Sequence, residues 1–259
     1  MAILDKKEIT LGRPQYHIRL KPNDVGKYVL LPGDPARSDR VAKYIDDPVL
    51  IANNREYRTY TGSYKGVKIS VTSTGIGCPS ASIAVEELAN IGAECFIRIG
   101  SSGALREGIS IGDLLISMGS MKNEGTSKYY VPDSFPAVPD FELTRALVDT
   151  ARRMQPDLGV SVHLGIGASD DSFYGETKEW IENLARIGVM NVEMEASAIF
   201  TVAFQRHLRA ASICAVSGNL ITGEVVYETE NTRLADGWDK EIKVVLEAIV
   251  EFEKSQESH

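Results

Sequence analysis

Arginine recurs in this chain beside small, glycine-bearing segments. Arg37 follows Pro32-Gly33-Asp34-Pro35, and Arg55 lies in Asn53-Asn54-Arg55-Glu56-Tyr57. Arg98 stands inside the apolar run Cys95-Phe96-Ile97-Arg98-Ile99, just ahead of Gly100-Ser101-Ser102-Gly103. A charge in a central strand is costly unless something of opposite sign meets it. Arg98 therefore has two readings: an internal ion pair with a carboxylate, or a guanidinium set to bind phosphate with the hydroxyls and N–H groups of Ser101 and Ser102. A second chemistry is offered by Val192-Glu193-Met194-Glu195-Ala196, where a strand gives way to a helix. Glu195 is there either as a favourable charge at a helix N-terminus or as an acceptor for two vicinal hydroxyls, such as a ribose 2′,3′-diol. Phe173-Tyr174, after Gly167-Ala168-Ser169-Asp170-Asp171, reads as a face for a planar base or as a buried aromatic pair.

The glycines place these groups. Pro32-Gly33-Asp34-Pro35, Gly75-Ile76-Gly77, Gly100-Ser101-Ser102-Gly103 and Gly218-Asn219 each come directly after an expected strand. Ligands of open α/β sheets bind beyond the carboxyl ends of strands, and glycine there lets backbone N–H groups approach an anion. Gly75-Ile76-Gly77-Cys78-Pro79-Ser80 imitates a dinucleotide fingerprint, but Ser80 replaces the third glycine and Glu94 precedes the next strand instead of ending it. The P-loop, HExxH and GxSxG patterns are absent from the sequence.

Strands are expected at Lys27–Leu31, Val67–Thr74, Cys95–Ile99, Asp113–Ser117, Val160–Ile166, Val189–Glu193 and Ala211–Val216. Helices are expected at Pro35–Tyr44, Pro79–Ile91, Phe141–Met154, Thr177–Arg186, Glu195–His207 and Thr232–Lys254. This alternation predicts an α/β fold with a largely central sheet. No linker, low-complexity segment or repeat divides the chain, so residues 1–259 read as one domain. Lys122–Pro139 is the longest stretch without a period, a length more often functional than filler.

The 259 residues carry 28 Lys+Arg against 36 Asp+Glu, a formal charge of −8, with 43% hydrophobic and 25% charged residues. That composition suits a folded globular chain, and the acidic balance argues against nucleic acid or an anionic membrane as partner. Cys78, Cys95 and Cys214 are far apart, which suggests free thiols in a reducing compartment. His17, His163, His207 and His259 are too scattered for a zinc motif. Neither a signal peptide nor a run of membrane-spanning length is visible, so a cytoplasmic location is expected.

Taken together the segments resemble the nucleoside phosphorylase-I family, and within it the uridine phosphorylase branch. The matching stretches are LPGDPAR (31–37), NNREY (53–57), STGIGCPSASIAVEEL (73–88), FIRIGSSGAL (96–105), EGTSKYYVPDSFPAVPDFE (124–142), ASDDSFYG (168–175) and VMNVEMEASAIF (189–200), in order. The resemblance implies a three-layer αβα domain with a mixed sheet. It also implies a pentosyltransferase that reversibly cleaves a nucleoside with phosphate to free base and ribose 1-phosphate. Gly33, Arg37, Arg98 and Ser101 would bind phosphate, with Arg55 supplied by a neighbouring subunit. Glu195, Met194 and Glu193 would hold the ribose, and the neighbour's copy of His17 would reach the 5′-hydroxyl. Ser102, Gly103 and Phe173 would meet the base. Arg98 and Glu195 would be the catalytic groups. Inorganic phosphate is the implied co-substrate, with no organic cofactor, and Glu56, Ile76 and Ser80 match positions that hold a monovalent cation such as potassium between subunits. The implied assembly is a hexamer, a trimer of dimers.

The base pocket departs from the branch. Uridine phosphorylases carry a Gln and an Arg shortly after the aromatic pair; here the text is Phe173-Tyr174-Gly175-Glu176-Thr177-Lys178, leaving Glu176 and Lys178 as stand-ins. A carboxylate accepts only and prefers a base edge with donors, such as guanine's. The purine branch places an aspartate where this chain has Gly218, followed by Asn219 and Leu220, while Asp170, Asp171 and Glu224 are the other carboxylates considered there. A purine nucleoside phosphorylase, a nucleosidase that uses water, and a non-catalytic nucleoside-binding protein are the alternatives.

Overall fold

The computed structural model describes residues 13–225 and 232–257. The amino-terminal run read for a targeting segment, and His259, lie outside them. In chain order the elements are β1 (Tyr28–Leu31), α1 (Pro35–Ala42), β2 (Asp46–Asn54), β3 (Tyr57–Tyr64), β4 (Val67–Thr72), α2 (Cys78–Asn90), β5 (Cys95–Ala104), β6 (Leu114–Asn123), α3 (Phe141–Leu158), β7 (Val162–Asp170), α4 (Lys178–Ile187), β8 (Asn191–Glu193), α5 (Ala196–Gln205), β9 (Arg209–Asn219), β10 (Glu224–Val225) and α6 (Thr232–Glu257).

Among the described residues the strands form one mixed sheet in the order β10-β9-β6-β7-β8-β5-β1-β4-β3-β2, and β5 also pairs with β9. That extra pairing rolls β9, β6, β7, β8 and β5 into a closed ring, while β1, β4, β3 and β2 extend from it as an open sheet. Strand alternation sorts the core into two layers. Tyr28, Leu30, Ile97 and Ile99 face Leu143 and Leu147 of α3 and Val245 and Ile249 of α6. Val29, Leu31 and Phe96 face Ala84 and Leu88 of α2 and Ile199 and Phe200 of α5. Arg98 is two residues beyond Phe96, on the side of α2 and α5.

Two expectations change. Gly100–Gly103 and Gly218-Asn219 are not turns after strands: β5 runs on to Ala104 and β9 to Asn219, paired side by side with a register shift between Ser102 and Gly103. Closing the ring demands this continuation, and glycine permits it where strands and side chains crowd; a Cβ at Gly103 would lie 3.1 Å from Leu220. The hairpin β2–β3 was not legible as strand, because β2 is mostly exposed and lacks the apolar alternation of a half-buried strand. The long Lys122–Pro139 stretch is partly ordered by its own contacts. Glu124 accepts the N–H groups of Thr126 and Ser127 at 2.5 and 3.0 Å, and Ser120 bridges to Ala137.

Candidate active site

The C-terminal ends of β1 and β4 meet the middle of β5, which the C-terminal end of β8 approaches from the opposite direction, and each delivers one part of the site. After β1, Asp34 caps α1 by accepting the Ala36 N–H at 2.8 Å, with Pro35 in the first turn. This cap fixes Arg37 in the helix's first turn, and an Arg37 Nη2–H donates to Ser101 Oγ of β5 at 2.7 Å. Gly33 is tied to the neighbouring loop, its carbonyl accepting the Gly75 N–H at 2.9 Å. Gly77 then opens α2 with φ +97°, a left-handed conformation that favours glycine, and its N–H donates to Glu195 Oε1 at 2.7 Å.

Arg98 is buried at the centre. Its Nε–H donates to Glu193 at 2.6 Å, and Nη2 pairs with Glu195. Burial works against the charged guanidinium, but Glu195 and Glu193 outweigh it and hold Arg98 above the ordinary arginine range. Nη1 keeps only a 3.5 Å contact with the carbonyl of Ile99. A Cβ at Gly100 would sit 2.9 Å from that nitrogen, so the glycine clears the space the guanidinium fills. For Arg37, burial and then the like charge of Arg98 pull below the usual range, with Glu241 opposing.

The two acidic residues divide their work differently from either sequence reading. Glu193 caps α5: its carboxylate accepts the N–H groups of Glu195 and Ala196, each at 2.9 Å, and the Ser169 hydroxyl at 2.5 Å. Glu195 makes no cap bond with its side chain. It is free of that duty and holds Arg98 and the Gly77 N–H instead. Met194 between them is half-buried, its carbonyl accepting from the Cys78 thiol at 3.2 Å. The ion-pair reading of Arg98 is thus realised with the carboxylates expected to hold the sugar.

The remaining candidates separate into two groups. Ser102 Oγ is buried without a hydrogen-bond partner. Phe173 and Tyr174 are exposed and meet edge to face at 5.1 Å, so they are not a core pair. Glu176 is half-buried, and burial with Asp170 nearby raises its pKa to about 7. Two further base-site candidates have contacts of their own. Lys178 lies on the surface at the start of α4, 3.7 Å from Glu182 one turn on. Asn219 is fully committed: its amide donates to the carbonyls of Arg106 and Ile109 at 2.7 and 2.9 Å and its oxygen accepts from Ile221 and Thr222. Gly218 pairs with Val225 beside it.

The residues expected from a neighbour also cluster. Asn54 holds the His17 carbonyl at 2.6 Å, and Glu87 accepts the His17 backbone N–H at 2.9 Å and meets its ring at 2.6 Å. Arg55 follows Asn54 at the tip of the β2–β3 hairpin, exposed and at φ +55°, a strained conformation for a residue with a side chain. Glu56, Ile76 and Ser80 gather around Gly75: a Cβ there would lie 2.8 Å from Glu56 Cγ and 3.3 Å from Ser80 Oγ, which itself is 3.4 Å from the Ile76 carbonyl. The sequence reading missed Trp238 and Glu241 of α6. Trp238 stacks on Arg37, 4.1 Å from guanidinium carbon to ring centroid, and Glu241 accepts the Gly100 N–H at 2.6 Å. The signal was a carboxylate on the apolar stripe that includes Leu234, Val245 and Ile249.

Residues 27–251 match the family model of the phosphorylase superfamily. The chain belongs to that superfamily. Superfamily relatives include a uridine phosphorylase of Thermococcus kodakarensis, 47% identical with 91% of this chain and 94% of the relative covered. A guanosine phosphorylase of Halorubrum lacusprofundi is 40% identical, with 91% and 98% covered. Among solved structures, a uridine phosphorylase from Vibrio fischeri superposes with a TM-score of 0.83 at 36% identity, covering 92% of this chain and 98% of the other. The superfamily match includes Arg37, Arg55, Arg98, Glu193 and Glu195; His17 lies before it.

Proposed function

We propose that this phosphorylase cleaves a ribonucleoside, uridine first, by phosphorolysis. The observation that carries the reading is the buried Arg98 between Glu193 and Glu195, with Arg37 on Ser101 beside it. Two guanidiniums, a hydroxyl and the Gly33 loop suit a phosphate dianion, and Arg55 of a second copy would complete the set. Phosphate binding draws on Arg98 Nη1, which holds the Ile99 carbonyl only at 3.5 Å, leaving Glu195 to accept hydrogen bonds from the ribose diol. Met194 packs against the sugar, Glu193 keeps the α5 terminus in place, and His17 of the second copy meets the 5′-hydroxyl.

With phosphate held beneath C1′, proximity supplies much of the rate. A phosphate oxygen bonds to C1′ as the C1′–N bond breaks. The electron pair leaves with the base, which then takes up a proton, and donors at the base stabilise the charge developing on it. Phe173, Ser102, Gly103 and Glu176 would form the base side. Uridine is favoured by the uridine phosphorylases among the relatives. Guanosine is the second reading, favoured by Glu176, whose ionised form accepts from the donor edge of guanine. Glu56, the Ile76 carbonyl and Ser80 are oxygen donors of the kind that suits a potassium ion, which would join subunits of a hexamer and take no part in the bond-breaking step. A cytoplasmic role in nucleoside salvage follows from this activity.

The test is base release from uridine, thymidine, inosine, guanosine and adenosine, with and without inorganic phosphate, for the unmodified chain and Arg98→Ala. The expected result is phosphate-dependent release of uracil with ribose 1-phosphate as co-product, abolished in the variant. Equal cleavage without phosphate would make the protein a nucleosidase and sink the reading. Tight nucleoside binding with no cleavage would make it a sensor.

A further inference from the structure

We propose that α6 is the back wall of the phosphate half-site, with Glu241 as a positioning residue that fixes the Gly100–Ser101 backbone. This rests on the phosphorolysis reading for its kinetic readout. Pairing of β1 with β5 ends at Leu31 opposite Arg98, so Gly100 has no β1 partner on that edge. Its N–H instead donates to Glu241 Oε1 at 2.6 Å, and Glu241 is only 1% exposed. A carboxylate buried this deeply is costly without partners, and burial pushes its pKa up to about 8 against the pull of the Gly100 N–H, Arg37 and Arg98.

Trp238 lies three residues earlier on the same helix face. Its ring underlies Arg37, and its Nε1–H donates to Ser101 Oγ at 3.2 Å, the same oxygen that takes the Arg37 bond. Asp239 between them clamps α1: Arg40 meets its two carboxylate oxygens at 2.7 and 2.8 Å and donates to the Ala235 carbonyl at 2.8 Å. One turn of α6 thus holds the helix bearing Arg37, the hydroxyl of Ser101 and the amide of Gly100. None of these α6 side chains needs to touch phosphate. They act by keeping its ligands in place before it arrives, which spares ordering cost on binding.

The experiment compares the unmodified full chain with Glu241→Gln, Glu241→Ala and Trp238→Phe. KM is measured for phosphate and for nucleoside separately, alongside calorimetric titration with inorganic phosphate alone. Gln can accept the same N–H, so it is expected to stay near the unmodified values. Ala should raise the phosphate KM and Kd by up to about tenfold, the size of one ordinary hydrogen bond, with the nucleoside KM little changed. Trp238→Phe keeps the stacking face and loses only the donor to Ser101, so a smaller rise confined to phosphate is expected. It also serves as the test if Glu241→Ala does not fold. An unchanged phosphate KM in the folded Ala variant, or in Trp238→Phe, overturns the proposal, as does Gln behaving like Ala. If the unmodified chain shows no turnover, the activity reading fails on its own, and the titration still decides the positioning role; no phosphate binding at all overturns both.

Discussion

Glu176 and Glu241 are carboxyl groups whose pKa values burial drives upward, to about 7 and about 8. In each case the folded state binds the proton more tightly than the unfolded chain, where the ordinary value of 4.5 applies. Their contribution to stability is therefore fully present below that ordinary value and is lost as pH rises through the folded value. Asp113, Asp239, Glu247 and Glu253 are shifted downward: burial opposes the shift, but His163 and two backbone N–H groups at Asp113, and Arg40, Lys65 and Lys27 at the others, outweigh it. They act at the acid end with the opposite sign. We predict that Glu176→Gln gains thermal stability relative to the unmodified chain at pH 8 but not at pH 5. Melting temperatures at the two pH values check this, and an equal difference at both would refute the cause assigned to Glu176. The same titration bears on the base: below about pH 7 the protonated acid can donate a hydrogen bond, above it the group only accepts.

At the scale of elements, α5 shows how one sequence feature serves folding and chemistry through different residues. The segment Glu193-Met194-Glu195 ends β8 and starts α5; Glu193 takes the cap through N–H groups two and three residues on, and Glu195 takes the pairing with Arg98. Removing Glu193 deletes a helix cap, worth about 1–2 kcal/mol, and one partner of a buried charge, worth about 3–5 kcal/mol; the two overlap and do not simply add. We predict that Glu193→Ala is destabilised more than Glu195→Ala in urea unfolding, while Glu195→Ala loses the greater share of turnover at a temperature where both remain folded. The reverse order of stability would show that Glu195, not Glu193, secures the helix. Glycine placement makes a similar point: Gly77 was legible as a glycine following a strand, whereas Gly100 is a mid-strand residue whose missing side chain makes room for Arg98.

For the whole molecule, the phosphorolysis reading proposes a site completed by a second copy. His17 and Arg55 sit together around Asn54 and form no hydrogen bond or ion pair with Arg37, Arg98 or Ser101 of the same described chain. If each site draws Arg55 from one subunit and Arg98 from another, two separately inactive variants can rescue one another. We predict that unfolding and refolding Arg55→Ala together with Arg98→Ala restores a measurable fraction of the phosphate-dependent rate, while each refolded alone stays inactive. An absence of recovery, with mixed oligomers verified by mass, would place Arg55 and Arg98 in one subunit's site.

Local pattern carried a large part of this. Strand and helix periodicity, the Asp34-Pro35 helix start and the ordered motifs around Arg37, Arg98 and Glu195 were all legible in the amino-acid sequence, because each reflects interactions within a few residues or a short motif met intact. The hairpin β2–β3 was not legible, because β2 is mostly exposed and the buried face of β3 is Tyr57, Thr59 and Thr61, two of them polar, so no apolar period shows. The closure of β5 onto β9 and the commitment of the Asn219 amide to the Arg106 and Ile109 carbonyls depended on which strands meet. So did the roles of Trp238 and Glu241, which lie 137 and 141 residues from the Ser101 and Gly100 they hold. By itself the sequence determined which residues could bind an anion and a sugar. Only the tertiary structure decided which of them are free to do so, since a buried polar group must satisfy every hydrogen bond with whatever the fold brings beside it.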